Sequence, residues 1–183
     1  MFISEAYGPG SFMFRVAPGG YQYQWRDVKT SRKKVMQTQF NTAVYHDGYL
    51  YGCSGRYPRA MELRCVDWNT GKVVWAESTK IRSTLLYVDD HLINLEERGR
   101  LRLIRATPKR FELVGEFTLR ESNSEVNPAA DAETGAGDVA PSSQEAPPLL
   151  RYPCWAAPIL SHGLLYVRSA NRLVCLELIP PAG

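Results

Sequence analysis

Leu63-Arg64-Cys65-Val66-Asp67, Trp68-Asn69-Thr70-Gly71 and Lys72-Val73-Val74-Trp75 read as strand, turn and strand. Short apolar alternation flanks a break built from residues that favour turns. Just upstream, Thr42-Ala43-Val44-Tyr45, Asp47-Gly48 and Tyr49-Leu50-Tyr51 form a second such pair. Asp-Gly supplies the positive φ that a tight type I′ hairpin turn requires. The two pairs join into a four-stranded meander of about 40 residues.

The meander recurs. Leu85-Leu86-Tyr87-Val88, the turn Asp89-Asp90, His91-Leu92-Ile93-Asn94, Leu101-Arg102-Leu103-Ile104 and Phe111-Glu112-Leu113-Val114 repeat the same strand order, with Tyr49-Leu50-Tyr51 over His91-Leu92-Ile93 at a spacing of 42. Ala157-Pro158-Ile159-Leu160, the turn His162-Gly163, Leu164-Leu165-Tyr166-Val167 and Leu173-Val174-Cys175-Leu176 give the first three strands again. At the other end, Phe2-Ile3-Ser4-Glu5, Phe12-Met13-Phe14-Arg15-Val16 and Tyr21-Gln22-Tyr23-Gln24-Trp25 read as the last three strands of a preceding unit. Consecutive four-stranded units of this length predict an all-β fold, a partial β-propeller of about three and a half antiparallel blades. A β-sandwich explains the strands but not the repeated offset. The expected layout is a single partial propeller over 1–183, with an incomplete blade over 1–28, blades over 38–78 and 82–119, and an incomplete blade over 154–179.

Composition agrees with a folded globular chain. Of 183 residues, 44% are hydrophobic and 22% charged, which excludes collagenous and wholly disordered classes. Between Glu121 and Leu150 lie Glu121, Glu125, Asp131, Glu133, Asp138 and Glu145 with no Lys or Arg, leaving 22 basic against 13 acidic residues, +9, elsewhere. Rich in Pro, Ala, Ser and Gly, the stretch 121–150 is expected to be a disordered acidic insert. No apolar run approaches the roughly 18 residues of a membrane span, and Met1 leads into Phe-Ile-Ser-Glu without the pattern of a secretion signal.

The string from Cys65 to Trp75 resembles the tryptophan-docking motif of pyrroloquinoline-quinone (PQQ) type propeller repeats, commonly A-x-D-x-x-T-G-K-x-x-W. Asp67, Thr70, Gly71, Lys72 and Trp75 match, and Trp25 stands in the equivalent place of the first unit after Pro18-Gly19-Gly20. Strings such as Asp47-Gly48-Tyr49-Leu50-Tyr51-Gly52 and the run from Trp155 to Tyr166 are similar to PQQ-like propeller repeat proteins abundant in planctomycete-type bacteria. The resemblance implies the C-terminal portion of such a propeller and an extracytoplasmic home. It also implies a tryptophan ring packed between blades, with its N–H seeking a partner. The unit ending at Val114 departs from it, lacking the Gly and Trp. Three and a half blades do not close a ring, so the chain is expected to meet the remaining blades of a longer propeller or a second chain.

Chemistry is sparse. Cys65 and Cys175 occupy one position of the third strand in different units and read as core residues, while Cys53 and Cys154 show no zinc spacing. His46, His91 and His162 sit at first hairpin turns and read as solvated turn residues, and Asp89-Asp90 as turn chemistry. The run Lys29, Arg32, Lys33, Lys34 reads as a solvated loop, since a nucleic-acid contact calls for interleaved aromatics and a continuous groove. Asn41, Arg82 and Trp155 precede the innermost strands at aligned places and are the candidate ligand-binding residues at the channel. These features favour a noncatalytic binding or scaffolding module with a protein partner, no cofactor, no nucleic acid and no membrane span. The alternative is a fragment of a PQQ-dependent dehydrogenase. That would add calcium with oxygen ligands, a carboxylate base and a stacked aromatic floor around the quinone, and the adjacent cysteines frequent in such enzymes are absent here.

Overall fold

The computed structural model describes residues 1–30, 33–121 and 146–179. Arg32 and most of the acidic insert (122–145) lie outside the described residues. Among those described there are fourteen strands and no α-helix.

Sheet 1 holds β1 (Phe2–Ser4), β2 (Ser11–Ala17) and β3 (Gly20–Arg26); sheet 2 holds β4 (Val44–His46), β5 (Tyr49–Ser54), β6 (Glu62–Asp67) and β7 (Val73–Ser78). Sheet 3 is β8 (Ser83–Val88), β9 (His91–Glu96), β10 (Arg100–Arg105) and β11 (Leu113–Thr118); sheet 4 is β12 (Ile159–Ser161), β13 (Leu164–Arg168) and β14 (Leu173–Glu177). Within each sheet every strand pairs antiparallel with its sequence neighbour, so the chain is a partial propeller of meander sheets. The hairpin turns explain the register. Asp47 and Gly48 both have positive φ, 43° and 82°, as do Asp89 and Asp90 and the pair His162 and Gly163.

Each neighbouring pair of sheets encloses its own core. Met13, Met36, Leu50 and Val66 fill the space between sheets 1 and 2; Tyr51, Leu63, Cys65, Leu92 and Ile104 fill that between sheets 2 and 3; Leu95, Leu101, Leu165 and Val167 fill the third. Leu50 and Tyr51 are adjacent in β5 yet serve different cores, because successive side chains point to opposite faces of a strand. The middle sheets are therefore apolar on both faces.

The junctions share one device. Trp25 of β3 donates its indole N–H to the Trp68 carbonyl in the β6–β7 turn at 2.8 Å, and Trp75 of β7 donates to the Thr107 carbonyl in the β10–β11 connection at 2.9 Å. The receiving turn is held by Asp67, whose Oδ1 accepts from the backbone N–H groups of Asn69 and Thr70 and from the Thr70 hydroxyl. These bonds, chiefly those from Thr70, hold the Asp67 carboxyl below its ordinary range.

Three details differ from the sequence reading. β11 begins at Leu113 because the ring of Phe111 packs edge-on to Trp75 at 5.9 Å and lies under Arg102, outside the ladder. The flanks of the insert are held: Arg120 bridges Pro148, Leu149 N–H donates to the Leu119 carbonyl at 2.8 Å, and Leu150 is buried beside Cys154. Residues 146–150, which the sequence reading placed in a disordered stretch, are therefore fixed by contacts. Cys175 is exposed while Cys65 is buried. The two occupy the same place in their strands, but Cys65 faces sheet 3 and no described sheet covers the corresponding face of sheet 4.

Candidate functional site

Strand alternation puts the connections β1–β2, β3–β4, β5–β6, β7–β8, β9–β10, β11–β12 and β13–β14 on one face of the assembly. Asn41, Arg82 and Trp155 all lie on this loop face, just ahead of β4, β8 and β12. Arg82 links three connections. Its Nε donates to Gln39 Oε1 at 2.8 Å, its Nη2 to the Arg56 carbonyl at 3.4 Å, and its Nη1 lies 3.5 Å from Glu97 Oε2. Trp155 Nε1 donates to the same Glu97 oxygen at 3.1 Å. Gln39 Nε2 donates in turn to the Tyr7 hydroxyl, and Asn41 Nδ2 to the Gln39 carbonyl at 2.9 Å. Arg82 and Trp155 thus meet through Glu97, and Asn41 joins them through Gln39. All four sheets contribute to one network.

The backbone fixes this arrangement. Glu97 N–H donates to the Arg82 carbonyl, extending the β8–β9 ladder by one rung, and Cys154 N–H donates to the Glu97 carbonyl, both at 2.9 Å. Glu97 is 5% exposed. A carboxylate so buried is tolerated because a guanidinium and an indole N–H satisfy it. Beside it the Phe40 and Trp155 rings stack at 4.4 Å and 19°, with Tyr152 edge-on to Trp155. Phe40 is 54% exposed and holds φ at 60°, a left-handed conformation that bulky side chains rarely adopt. Next to the pair opens a cavity of about 560 Å³ lined by Glu5, Tyr7, Phe40, Asn41 and Thr84, and Asn41 Oδ1 has no hydrogen-bond partner.

Tyr7, Gln39, Phe40 and Glu97 are the members that sequence reasoning missed. Only Glu97 carried a signal: a hairpin turning at Asp89-Asp90 puts residues 82 and 97 on the same rung. The Phe40 backbone angle left no trace in sequence.

Two carboxylates stand at this face: Glu97, whose Oε2 already serves Arg82 and Trp155, and Glu5 on the cavity wall, whose Oε1 is buried without a hydrogen-bond partner. Among the described residues no group of three or more His, Cys, Asp or Glu side chains is placed to hold a metal ion. The histidines are separately engaged. His46 stacks on Tyr87 at 4.4 Å with Nε2 3.5 Å from Asp90, His91 contacts the Asp89 carbonyl, and His162 the Ser161 hydroxyl. Burial pushes the Cys65 and Cys154 thiols up to about 11. Among the described residues no helix is long and apolar enough to cross a membrane.

No protein-family model matches the chain, and no curated protein does. Among solved structures it is similar to BamB from Moraxella catarrhalis, at 12% identity and a TM-score of 0.46 over 97% of this chain. The similarity takes in 63% of that chain, so this sequence spans less than two thirds of its length.

Proposed function

We propose that this chain is a noncatalytic, PQQ-like propeller repeat module that binds another protein at the loop face, as a scaffold, and forms part of a larger ring. One observation carries the binding reading: side chains from all four sheets converge on an exposed aromatic pair, Phe40 and Trp155, beside an open cavity. Exposed aromatic rings flanked by an arginine are the usual anchors of protein interfaces. The strained Phe40 supports the same reading, since strain persists where function repays it. The ring reading rests on the outer faces of sheets 1 and 4. There Tyr21, Tyr23, Ile159 and Leu173 are exposed, although every other sheet face is covered by a neighbour. The occupant of these faces is the remainder of a propeller or a second chain.

The reading assigns no cofactor. The test is selection of a displayed random-peptide library on the chain, followed by titration against Phe40→Gly and Trp155→Ala. Binders that weaken about tenfold or more on both variants are the expected result. A selection yielding none that depends on either ring overturns the reading, and so does alcohol-dependent dye reduction by the chain with PQQ and calcium.

A further inference from the structure

The lysine run singled out in the sequence is not wholly solvated. Lys34 is only 9% exposed, and its ammonium donates to the carbonyls of Val28 at 2.7 Å and Lys29 at 3.2 Å. No carboxylate among the described residues pairs with it. Two carbonyls satisfy its hydrogen bonds without neutralising its charge.

Lys34 lies in the wall of a cleft of about 1090 Å³ between sheets 1 and 2. Lys29, Lys33, Arg56 and Arg64 line the same cleft, and Glu62 is the one carboxylate among its lining residues. Glu62 is already spent on Arg64, at 2.7 Å. Arg64 also donates to the Lys34 and Val35 carbonyls, which fixes the lysine-bearing loop over β6. The cleft therefore holds a surplus of positive charge, carried by Lys29 and Arg56 on exposed side chains and by the buried Lys34, which attracts an anion.

Arg56 adds shape. Its guanidinium lies over the rings of Tyr7 at 5.0 Å and Tyr57 at 5.2 Å, both exposed at the rim. Stacking orders a side chain that is otherwise flexible, so its planar fork can take a carboxylate with little further loss of freedom. Tyr7 also belongs to the Arg82 network, which makes the cleft continuous with the aromatic pair at the mouth.

We propose that this cleft docks an acidic, extended segment of a partner protein, its carboxylates meeting Arg56 and Lys29 above the buried charge of Lys34. The proposal rests on the protein-binding reading above and names the chemistry of the partner. Charge complementarity selects the occupant. Single-stranded nucleic acid fits less well, because it calls for a row of open aromatic faces and both tyrosines here are faced by Arg56.

The experiment is a fluorescence-anisotropy titration of the whole chain with a labelled glutamate-rich peptide, its glutamine counterpart and oligothymidylate of matched charge. The glutamate peptide is expected to bind, to weaken steeply with added salt, and to lose about three- to tenfold affinity on Lys29→Gln and again on Arg56→Gln. Lys109→Gln, in the β10–β11 connection on the opposite face, leaves it unchanged. Binding that ignores Lys29 and Arg56, equal binding of the glutamine peptide, or preference for oligothymidylate overturns the proposal. Phe40→Gly and Trp155→Ala leave this titration unmoved, so failure at the cleft and failure at the mouth are told apart.

Discussion

A methyl group placed on Gly71 would meet the ring of Trp25 at 2.6 Å, closer than such contacts occur, and Gly71 itself holds φ at +70°. Gly71→Ala therefore combines overpacking with backbone strain, and the expected loss is about 2–4 kcal/mol. Gly19, at the equivalent turn of sheet 1, has φ +89° and nothing within 4 Å of such a methyl. Gly19→Ala is expected to lose only the backbone part, about 1–2 kcal/mol. Urea unfolding of the two variants reads the difference. Equal losses would mean that the Trp25 contact contributes nothing.

The indole bonds can be weighed separately. Trp25→Phe and Trp75→Phe each keep a ring but leave a turn carbonyl, of Trp68 or Thr107, without its donor. Each is expected to lower stability by about 1–3 kcal/mol, Trp75 the more because its ring packs on two aromatic neighbours, Tyr51 and Phe111, where Trp25 has Phe2 alone among the described residues. Thermal unfolding followed by circular dichroism tests the order.

Arg82→Leu strips the buried Glu97 carboxylate of its cation and should cost about 3–5 kcal/mol. Adding Glu97→Gln removes the stranded charge and should recover most of that loss. A double variant no more stable than Arg82→Leu would show that the pair is not coupled.

Asp67 gives stability a pH dependence of known sign. Its carboxyl is held below 3.8 in the folded state, so its contribution is complete above the ordinary carboxylate range and is lost as the pH falls through the lowered value. Asp67→Asn is expected to flatten that part of the acid limb while leaving the rest. Urea midpoints measured across acid pH for both proteins decide it.

Thiol chemistry reports on the open face of sheet 4. Cys175 is exposed and Cys53, Cys65 and Cys154 are buried, with their thiols pushed up by burial. A native chain with that face uncovered should react with a disulfide reagent rapidly at one cysteine and at all four once denatured. Protection of Cys175 in the native state would show the face occupied.

The strand order and turns were legible because they depend on local rules: apolar alternation, and a residue pair such as Asp47-Gly48 that accepts positive φ. Arg82 and Trp155 were legible as a pair of aligned positions, though not as partners. What joins them, Glu97, was hidden among the charges of Glu96-Glu97-Arg98, where only hairpin register separates a buried acid from a surface one. The basic cleft was less visible still. Lys34, Arg56 and Tyr7 are distant in sequence, and no local pattern says that a loop after sheet 1 will lie over β6. Cys175 was misread because equivalence of position does not guarantee equivalence of cover.

The three separate cores also shape how the molecule comes apart. Each layer is gripped only by its immediate neighbours, so the inner two are clamped from both sides and the outer two from one. Cooperativity in such a row is nearest-neighbour in character: opening propagates inward from the ends, and the centre is the last part to let go.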